Sequence, residues 1–268
     1  MKIGIDARLV HYQRAGIGQY TLRLTQALVA LDTADTFVIL QSRKQRQMLV
    51  DARTVQRRSL WTPPHHRLEQ WTLPLELWRL DLDLLHCPDF IPPFRRRCPA
   101  VITVHDLAFL RFADLLTEES QSYYGQIHRA VRSADHIIAV SQSTKRDLVS
   151  LAGADEGKIT VVYEAAGPSF QPADADAVRT VRQRYGITGD YILFVSTIEP
   201  RKNIPFLLHA YARLRATWPG RGDIPRLVLA GSKGWLYENI FAVLEELGLG
   251  DSVLFTGGVA VEDLPPLY

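Results

Sequence analysis

Val101-Ile102-Thr103-Val104-His105-Asp106-Leu107 is a run of β-branched residues that stops on a histidine and an aspartate. A strand with one wet face alternates apolar and polar residues, and this one does not. A nearly continuous run suits a central strand of a parallel sheet, covered on both faces. Comparable runs lie on either side, predicting strands over 3–7, 36–40, 84–87, 136–140 and 159–163. A second set is predicted over 191–196, 226–230 and 252–256. Helical patterns fill the intervals. Ile17, Tyr20, Leu24, Ala27, Leu28 and Leu31 share one face of a helix, with Gln19, Arg23 and Gln26 opposite. Ser141 or Ser143 caps a later helix that Gly153 ends. Asn203 caps another, with Leu207, Tyr211 and Leu214 on one face. Alternating strands and helices predict an α/β fold with right-handed crossovers.

The alternation breaks between Ala165 and Asp190, where Gly167-Pro168 and Gln171-Pro172 precede a polar helical stretch. The predicted division is therefore a domain over 1–167, a linker over 168–190 and a second domain over 191–268. Six strands precede the break and three follow it.

Composition narrows the function. Hydrophobic residues are 47% of the 268 and charged residues 22%, as in a globular protein with a real core. A net charge of +2 gives no general reason to expect nucleic acid as a partner. No apolar run approaches the ~20 residues that cross a bilayer. The start, Met1-Lys2-Ile3-Gly4-Ile5-Asp6, reads as a first strand and not as a signal peptide. Cys87 and Cys98 lack metal-ligand spacing and read as reduced thiols of a cytoplasmic protein. The basic stretches, Arg43 to Arg58 and Arg95-Arg96-Arg97, read as solvated faces. Attraction to an anionic membrane is the weaker alternative for them.

Three loops carry candidate chemistry. Arg14-Ala15-Gly16-Ile17-Gly18 opens the first helix, where backbone N–H groups and the helix dipole favour an anion. A nicotinamide-dinucleotide reading is disfavoured: Thr21 stands where the third glycine belongs, and the glycines sit well beyond the strand end. His105 and Asp106 lie at the carboxyl end of a buried strand, where open α/β sheets gather ligands. There His105 is suited to bind a sugar hydroxyl or shuttle a proton, or else is a strand-end histidine satisfied by backbone. Between Ser196 and Asn203, Arg201 and Lys202 form a cation pair suited to a diphosphate, or else a plain solvated turn. Asp81-Leu82-Asp83 is a D-x-D triplet, but it precedes its strand, so no metal is expected there.

Taken together, these loops resemble family 4 glycosyltransferases, which have the GT-B fold of two Rossmann-like domains. The matching stretches are Ile3 to Arg8, Gly16 to Tyr20, Thr103 to Leu107, Ala139 to Ser141, Glu199 to Asn203 and Phe255 to Val259. The resemblance implies a retaining enzyme that moves a hexose from a nucleotide sugar to a glycan or lipid-linked acceptor, without a metal or other cofactor. Gly16 and Gly18 would approach the donor phosphates and the acceptor. His105 would contact the transferred sugar, Arg201 and Lys202 the leaving diphosphate, and the turn after Gly257 the nucleobase. The Glu199 to Asn203 turn favours GDP-mannose over a UDP-sugar. Thr197 stands where many members have an arginine. The family's paired glutamates lie further along than Tyr268, so the second domain is expected to be incomplete and the chain alone inactive. A non-catalytic binding module is the alternative. The expected location is cytoplasmic, peripheral at the inner face of the membrane.

Overall fold

The computed structural model describes residues 1–12, 16–31, 33–112, 118–220, 223–234 and 237–268. They divide into two units, Met1–Ala165 and Ala166–Tyr268. The first holds strands β1 (Lys2–Asp6), β2 (Thr36–Ser42), β3 (Val55–Leu60), β4 (Leu84–Cys87), β5 (Ala100–Val104), β6 (His136–Ala139) and β7 (Ile159–Val161). Its helices are α1 (Ile17–Ala30), α2 (Glu69–Leu77), α3 (Ala108–Arg111), α4 (Glu118–Tyr124), α5 (Ile127–Ser133) and α6 (Gln142–Ser150). All strand pairs are parallel, in the order β3-β2-β1-β4-β5-β6-β7. The winding therefore reverses between β1 and β4, and the crevice opened by such a reversal is where these sheets bind ligands.

The pleat sorts side chains between the two faces. Ile5, Phe37 and Ile39 pack with Leu28 and Val29 of α1. Val38, Leu40, Leu85, Ile102 and Val104 pack on the other face with Leu73 of α2, Ile127 and Val131 of α5 and Leu148 of α6. Each large apolar side chain fully buried in this way contributes about 1.5–3 kcal/mol.

Two expectations are corrected here. The first unit has seven strands, because β3, Val55-Gln56-Arg57-Arg58-Ser59-Leu60, lies within the basic stretch read as a solvated face. It is an edge strand, and charged residues suit an edge because they discourage pairing with another chain. The buried stripe of α1 is Gly18, Thr21 and Thr25, while Ala27 and Leu31 are exposed. Small residues let the helix lie close to the sheet. The buried threonine hydroxyls are satisfied within the helix, Thr21 Oγ1 donating to the Ile17 carbonyl (2.8 Å) and Thr25 Oγ1 to that of Thr21 (2.7 Å).

The second unit pairs β8 (Tyr191–Val195), β9 (Arg226–Ala230) and β10 (Val253–Gly257) in parallel, in the order β10-β9-β8. Its helices are α7 (Ala175–Arg184), α8 (Ile204–Ala216), α9 (Glu238–Glu246) and α10 (Leu264–Leu267). Leu227 and Leu229 of β9 face α8 and α9 through Leu208, Tyr211 and Ile240. Val228 faces the opposite side, with Val181 of α7 and Leu267 of α10. The stretch 168–190, read as a linker, thus carries a helix that covers this sheet. The buried residues of α8 are Ile204, Leu208 and Tyr211, a stripe rotated from the expected one, with Leu207 and Leu214 partly buried beside it. Asn203 precedes α8 in the left-handed region (φ 51°) and makes no side-chain cap.

The carboxyl ends of these strands are stitched together. Ser196 N donates to the Ala230 carbonyl (2.9 Å), Ile198 N to that of Ser232 (3.0 Å) and Gly231 N to that of Gly257 (2.9 Å). At Gly231 a Cβ would stand 1.9 Å from the Ser196 carbonyl oxygen, which is backbone and cannot swing aside. Gly231→Ala should therefore lower the melting temperature of the second unit, by the equivalent of about 1–3 kcal/mol or more. Differential scanning calorimetry checks this, and an unshifted transition would mean that the loop relaxes freely.

Candidate functional site

His105 follows the last residue of β5, and each part of it is held. Its Nδ1 lies 2.9 Å from Glu164 Oε1 and its Nε2 3.0 Å from the Pro88 carbonyl. Both partners are acceptors, so the ring donates to both at once only when doubly protonated. The ring meets that of Tyr20 edge-on, with centroids 4.7 Å apart. Tyr20 sits in the first turns of α1, its N–H donating to the Gly16 carbonyl (2.9 Å). The α1 N-terminus and the end of β5 are thus joined side chain to side chain. Gly16 has φ 53° and ψ −118°, a conformation that glycine adopts at little cost. Gly18 is buried against the sheet. Arg14 and Ala15 of the same motif lie outside the described residues.

A buried polar chain supports this corner. Tyr20 Oη is 3.3 Å from Thr103 Oγ1, which is 2.9 Å from His86 Nε2. Burial drives the His86 pKa down to about 4, with His105 adding to the effect. From the next loop, Ser141 caps α6 by accepting from Thr144 N (3.0 Å), and Thr144 Oγ1 donates to the His105 carbonyl (3.1 Å). Asp106 accepts from the Ala108 amide (3.0 Å) at the start of α3.

Beside β1 and β4 lies a cluster that the sequence reading did not assemble. Arg8 is 1% exposed. It donates to Asp6 (2.8 and 2.7 Å), to Glu69 (2.5 Å) and to the Thr62 carbonyl (3.0 Å). Burial opposes its charge, but Asp6 and Glu69 outweigh burial and hold its pKa above the ordinary value. Burial raises the Glu69 pKa, with Arg8 opposing. His65 Nε2 contacts Asp89 Oδ2 (2.5 Å) and its ring lies 4.2 Å from that of Tyr123. Burial works against a charged His65, yet Asp89 outweighs it and the pKa is raised. These side chains line a recess of about 20 Å³. Arg8 is a buried strut with its guanidinium committed, whereas His65 and Asp89 are partly exposed and reachable. The one sequence signal was a charged pair, Asp6 and Arg8, straddling the end of a buried strand.

In the second unit the stitched strand ends carry the cations. Arg201 donates through Nε and Nη2 to Oε1 of buried Glu199 (3.2 and 3.1 Å), which orients the guanidinium and offsets part of its charge. Lys202 is half-buried in the same turn. Lys233 was not foreseen. A bridge pairs it with Ile198, and its ammonium lies over the rings of Tyr237 and Phe241 (4.8 and 5.0 Å). Gly257 (φ 72°) ends β10 at an irregularity in the register. The structure brings Gly16, Gly18 and His105 together in one unit, and Arg201, Lys202 and Gly257 together in the other. Asp83 accepts from the Lys2 amide (2.7 Å) where β1 begins, at the opposite end of the sheet from His105.

Two parallel α/β units with polar residues at the strand carboxyl ends are what the GT-B class of glycosyltransferases is built from. Solved structures bear out the fold. Anabaena Alr3699/HepE in complex with UDP and glucose matches with a TM-score of 0.68 at 17% identity, over 100% of this chain and 71% of that one. Sucrose-phosphate synthase from Thermosynechococcus elongatus matches with a TM-score of 0.73 at 17% identity, over 100% and 73%. The chain belongs to Glycosyltransferase Family 4, whose profile matches residues 14–166. The profile of Glycosyl transferases group 1 matches residues 179–268. O-antigen chain mannosyltransferase B of Escherichia coli is 25% identical over 292 residues, covering 100% of this chain and 74% of that protein. The serotype-specific mannosyltransferase WbdA of Escherichia coli is 31% identical over 138 residues, 50% of this chain and 17% of its own length.

The buried His86 ties stability to pH. Its pKa is about 4 in the folded chain against 6.5 when free, so between those values the unfolded chain binds the extra proton. Stability is therefore present above about pH 6.5 and is lost as pH falls towards 4, by roughly 3 kcal/mol from this group. Urea unfolding across that range should show His86→Asn with a flatter dependence than the parent. An unchanged slope would assign the acid sensitivity to carboxylates.

Proposed function

We propose that the chain moves mannose from GDP-mannose to a glycan or lipid-linked acceptor, retaining the α linkage. The observation that carries this reading is His105, fixed by Glu164, Pro88 and Tyr20 at a strand end beside the α1 N-terminus. A sugar hydroxyl that replaces the Pro88 carbonyl at Nε2 meets a ring already oriented by Glu164 and Tyr20, and such preorganisation favours a transition state over a floppy ground state. The names of the mannosyltransferase relatives support mannose as the sugar.

In this reading the anionic leaving group is a nucleoside diphosphate. Arg201, Lys202 and Lys233 stabilise the negative charge that develops as the sugar–phosphate bond breaks. In the first unit, taken by itself, the N–H groups opening α1 at Gly16 and Gly18 are suited to a donor phosphate. The turn after Gly257 approaches the base. The acceptor hydroxyl attacks the anomeric carbon from the face the diphosphate leaves as the sugar–phosphate bond breaks, its proton passing to the departing phosphate oxygen, and the cations carry the remaining charge. His65 and Asp89 receive acceptor hydroxyls at the recess. The reading includes a cytoplasmic location, consistent with two free cysteines.

Changing Arg201 and Lys202 together to alanine should weaken GDP binding about tenfold or more, since charge-assisted contacts contribute roughly 1.5–3 kcal/mol each before solvent screening. Guanosine, lacking phosphates, should be nearly indifferent. Titration calorimetry with both ligands checks this, and equal losses would mean that the turn supports the fold and does not read phosphate.

His105→Ala should slow GDP release from GDP-mannose about a hundredfold while leaving GDP affinity nearly unchanged. Steady-state kinetics beside calorimetry decide it. Unaltered turnover in a folded variant would return His105 to a structural role.

A further inference from the structure

Helix α2 has two apolar faces. One packs into the core through Leu73, 1% exposed, with Leu80 beyond its end. On the other lie Leu68, Trp71, Leu75 and Trp78, which are 49%, 64%, 74% and 55% exposed. Their spacing of three, four and three residues makes them a single stripe. A surface helix ordinarily turns charged residues outward. Large side chains of this kind gathered on one exposed line mark an interaction site, unlike scattered ones.

The stripe is flanked by cations. Arg95 and Arg97 of the loop before β5 stack on it, the Arg95 guanidinium 5.2 Å from the Trp71 ring and that of Arg97 3.4 Å from Trp78. Arg67 and Arg79, at either end of the helix, are exposed as well. Arg96 is committed to Ser133 and Asp135. The anions bordering the hollow are Asp81 and Asp83, and Asp83 is engaged by the Lys2 amide. The stripe and the loop enclose an open hollow of about 780 Å³. That hollow borders the first residues of β4 and the loop leading into β5, so it opens at the end of the sheet away from His105.

We infer that this face docks on an anionic phospholipid bilayer. Tryptophan and leucine in one line, edged by arginine, are the side chains that settle at a headgroup boundary, with the rings at interface level and the cations among the phosphates. Charge complementarity selects an anionic surface over a neutral one. The described residues include no helix long and apolar enough to cross a membrane, and interfacial docking requires none. Because the hollow lies at the far end of the sheet, docking leaves the strand carboxyl ends of this unit uncovered.

The test is flotation of the 268-residue chain with two kinds of vesicle, phosphatidylcholine alone and an equal mixture of phosphatidylcholine and phosphatidylglycerol. The chain should float with the mixture and stay behind with phosphatidylcholine, and raised salt should weaken the binding. Brominated acyl chains in the mixed vesicles should quench its tryptophan fluorescence. Trp71→Ser with Leu75→Ser, and separately Arg95→Glu with Arg97→Glu, should each reduce binding at least about tenfold. All four positions are exposed, and circular dichroism confirms that the variants are folded. Arg53→Glu with Arg58→Glu makes the same change in net charge on the basic stretch and should float as the parent does. Equal loss in that control would assign binding to net charge and overturn the proposal. So would flotation that the α2 variants leave intact, or a vesicle-free dimer in sedimentation velocity that the same variants dissolve.

Discussion

Parallel strands cannot be joined by a tight turn, because the chain must return to the starting edge before it can pair again. Every crossover in both sheets obeys this, and it places each strand's exit loop on the same edge as the others. In the first unit the winding also reverses between β1 and β4, so two neighbouring exit loops leave in opposite directions. The gap between them is where Asp6, Arg8 and Asp89 meet, and His105 stands one strand further along. The chemistry is concentrated because the topology leaves the backbone no other edge on which to gather side chains from distant parts of the sequence.

Within that edge, the side chains hold one another. His105 is gripped through Glu164, Pro88 and Tyr20, while Thr103 and His86 anchor Tyr20 from below. Burying a neutral histidine and two hydroxyls costs little when each finds a partner, and much when one is removed. The corner therefore behaves as a unit, and small changes at Thr103 or His86 are transmitted to the ring of His105. In the second unit the corresponding stiffness comes from backbone. Three exit loops exchange N–H groups and carbonyls directly, and glycine at 231 permits the approach.

Much of this was legible in the sequence. Central parallel strands are buried on both faces, so their apolar runs announce themselves, and the motifs at their ends follow. What escaped did so for physical reasons. β3 lies at the edge and carries Arg57 and Arg58, so its composition imitates a solvated loop. The stripe of α1 was misread because the helix buries its smallest residues and not its largest. The Arg8 cluster draws on Asp6, Glu69 and Asp89, far apart in sequence, and only the pairing of β1 with β4 brings them together. Lys233 sits in a turn whose neighbours say nothing of the strand beside it. The division near residue 165 was visible as a break in the pattern, but a helix within the break packs on the second sheet, as its polar composition did not disclose.

The recess beside β1 is lined mainly by hydrogen-bond acceptors. Asp6, Glu69 and Asp89 bring three carboxyl groups, facing the guanidinium of Arg8 and the imidazole of His65. They surround a space with room for about one water. A group that donates a hydrogen bond, such as a hydroxyl, suits that lining, while a phosphate or carboxylate oxygen does not. The loops of the second sheet have the opposite balance, with Arg201, Lys202 and Lys233 against Glu199. The two sets of loops thus differ in the sign of the side chains they present, acceptors around the recess beside β1 and cations at the ends of the second sheet.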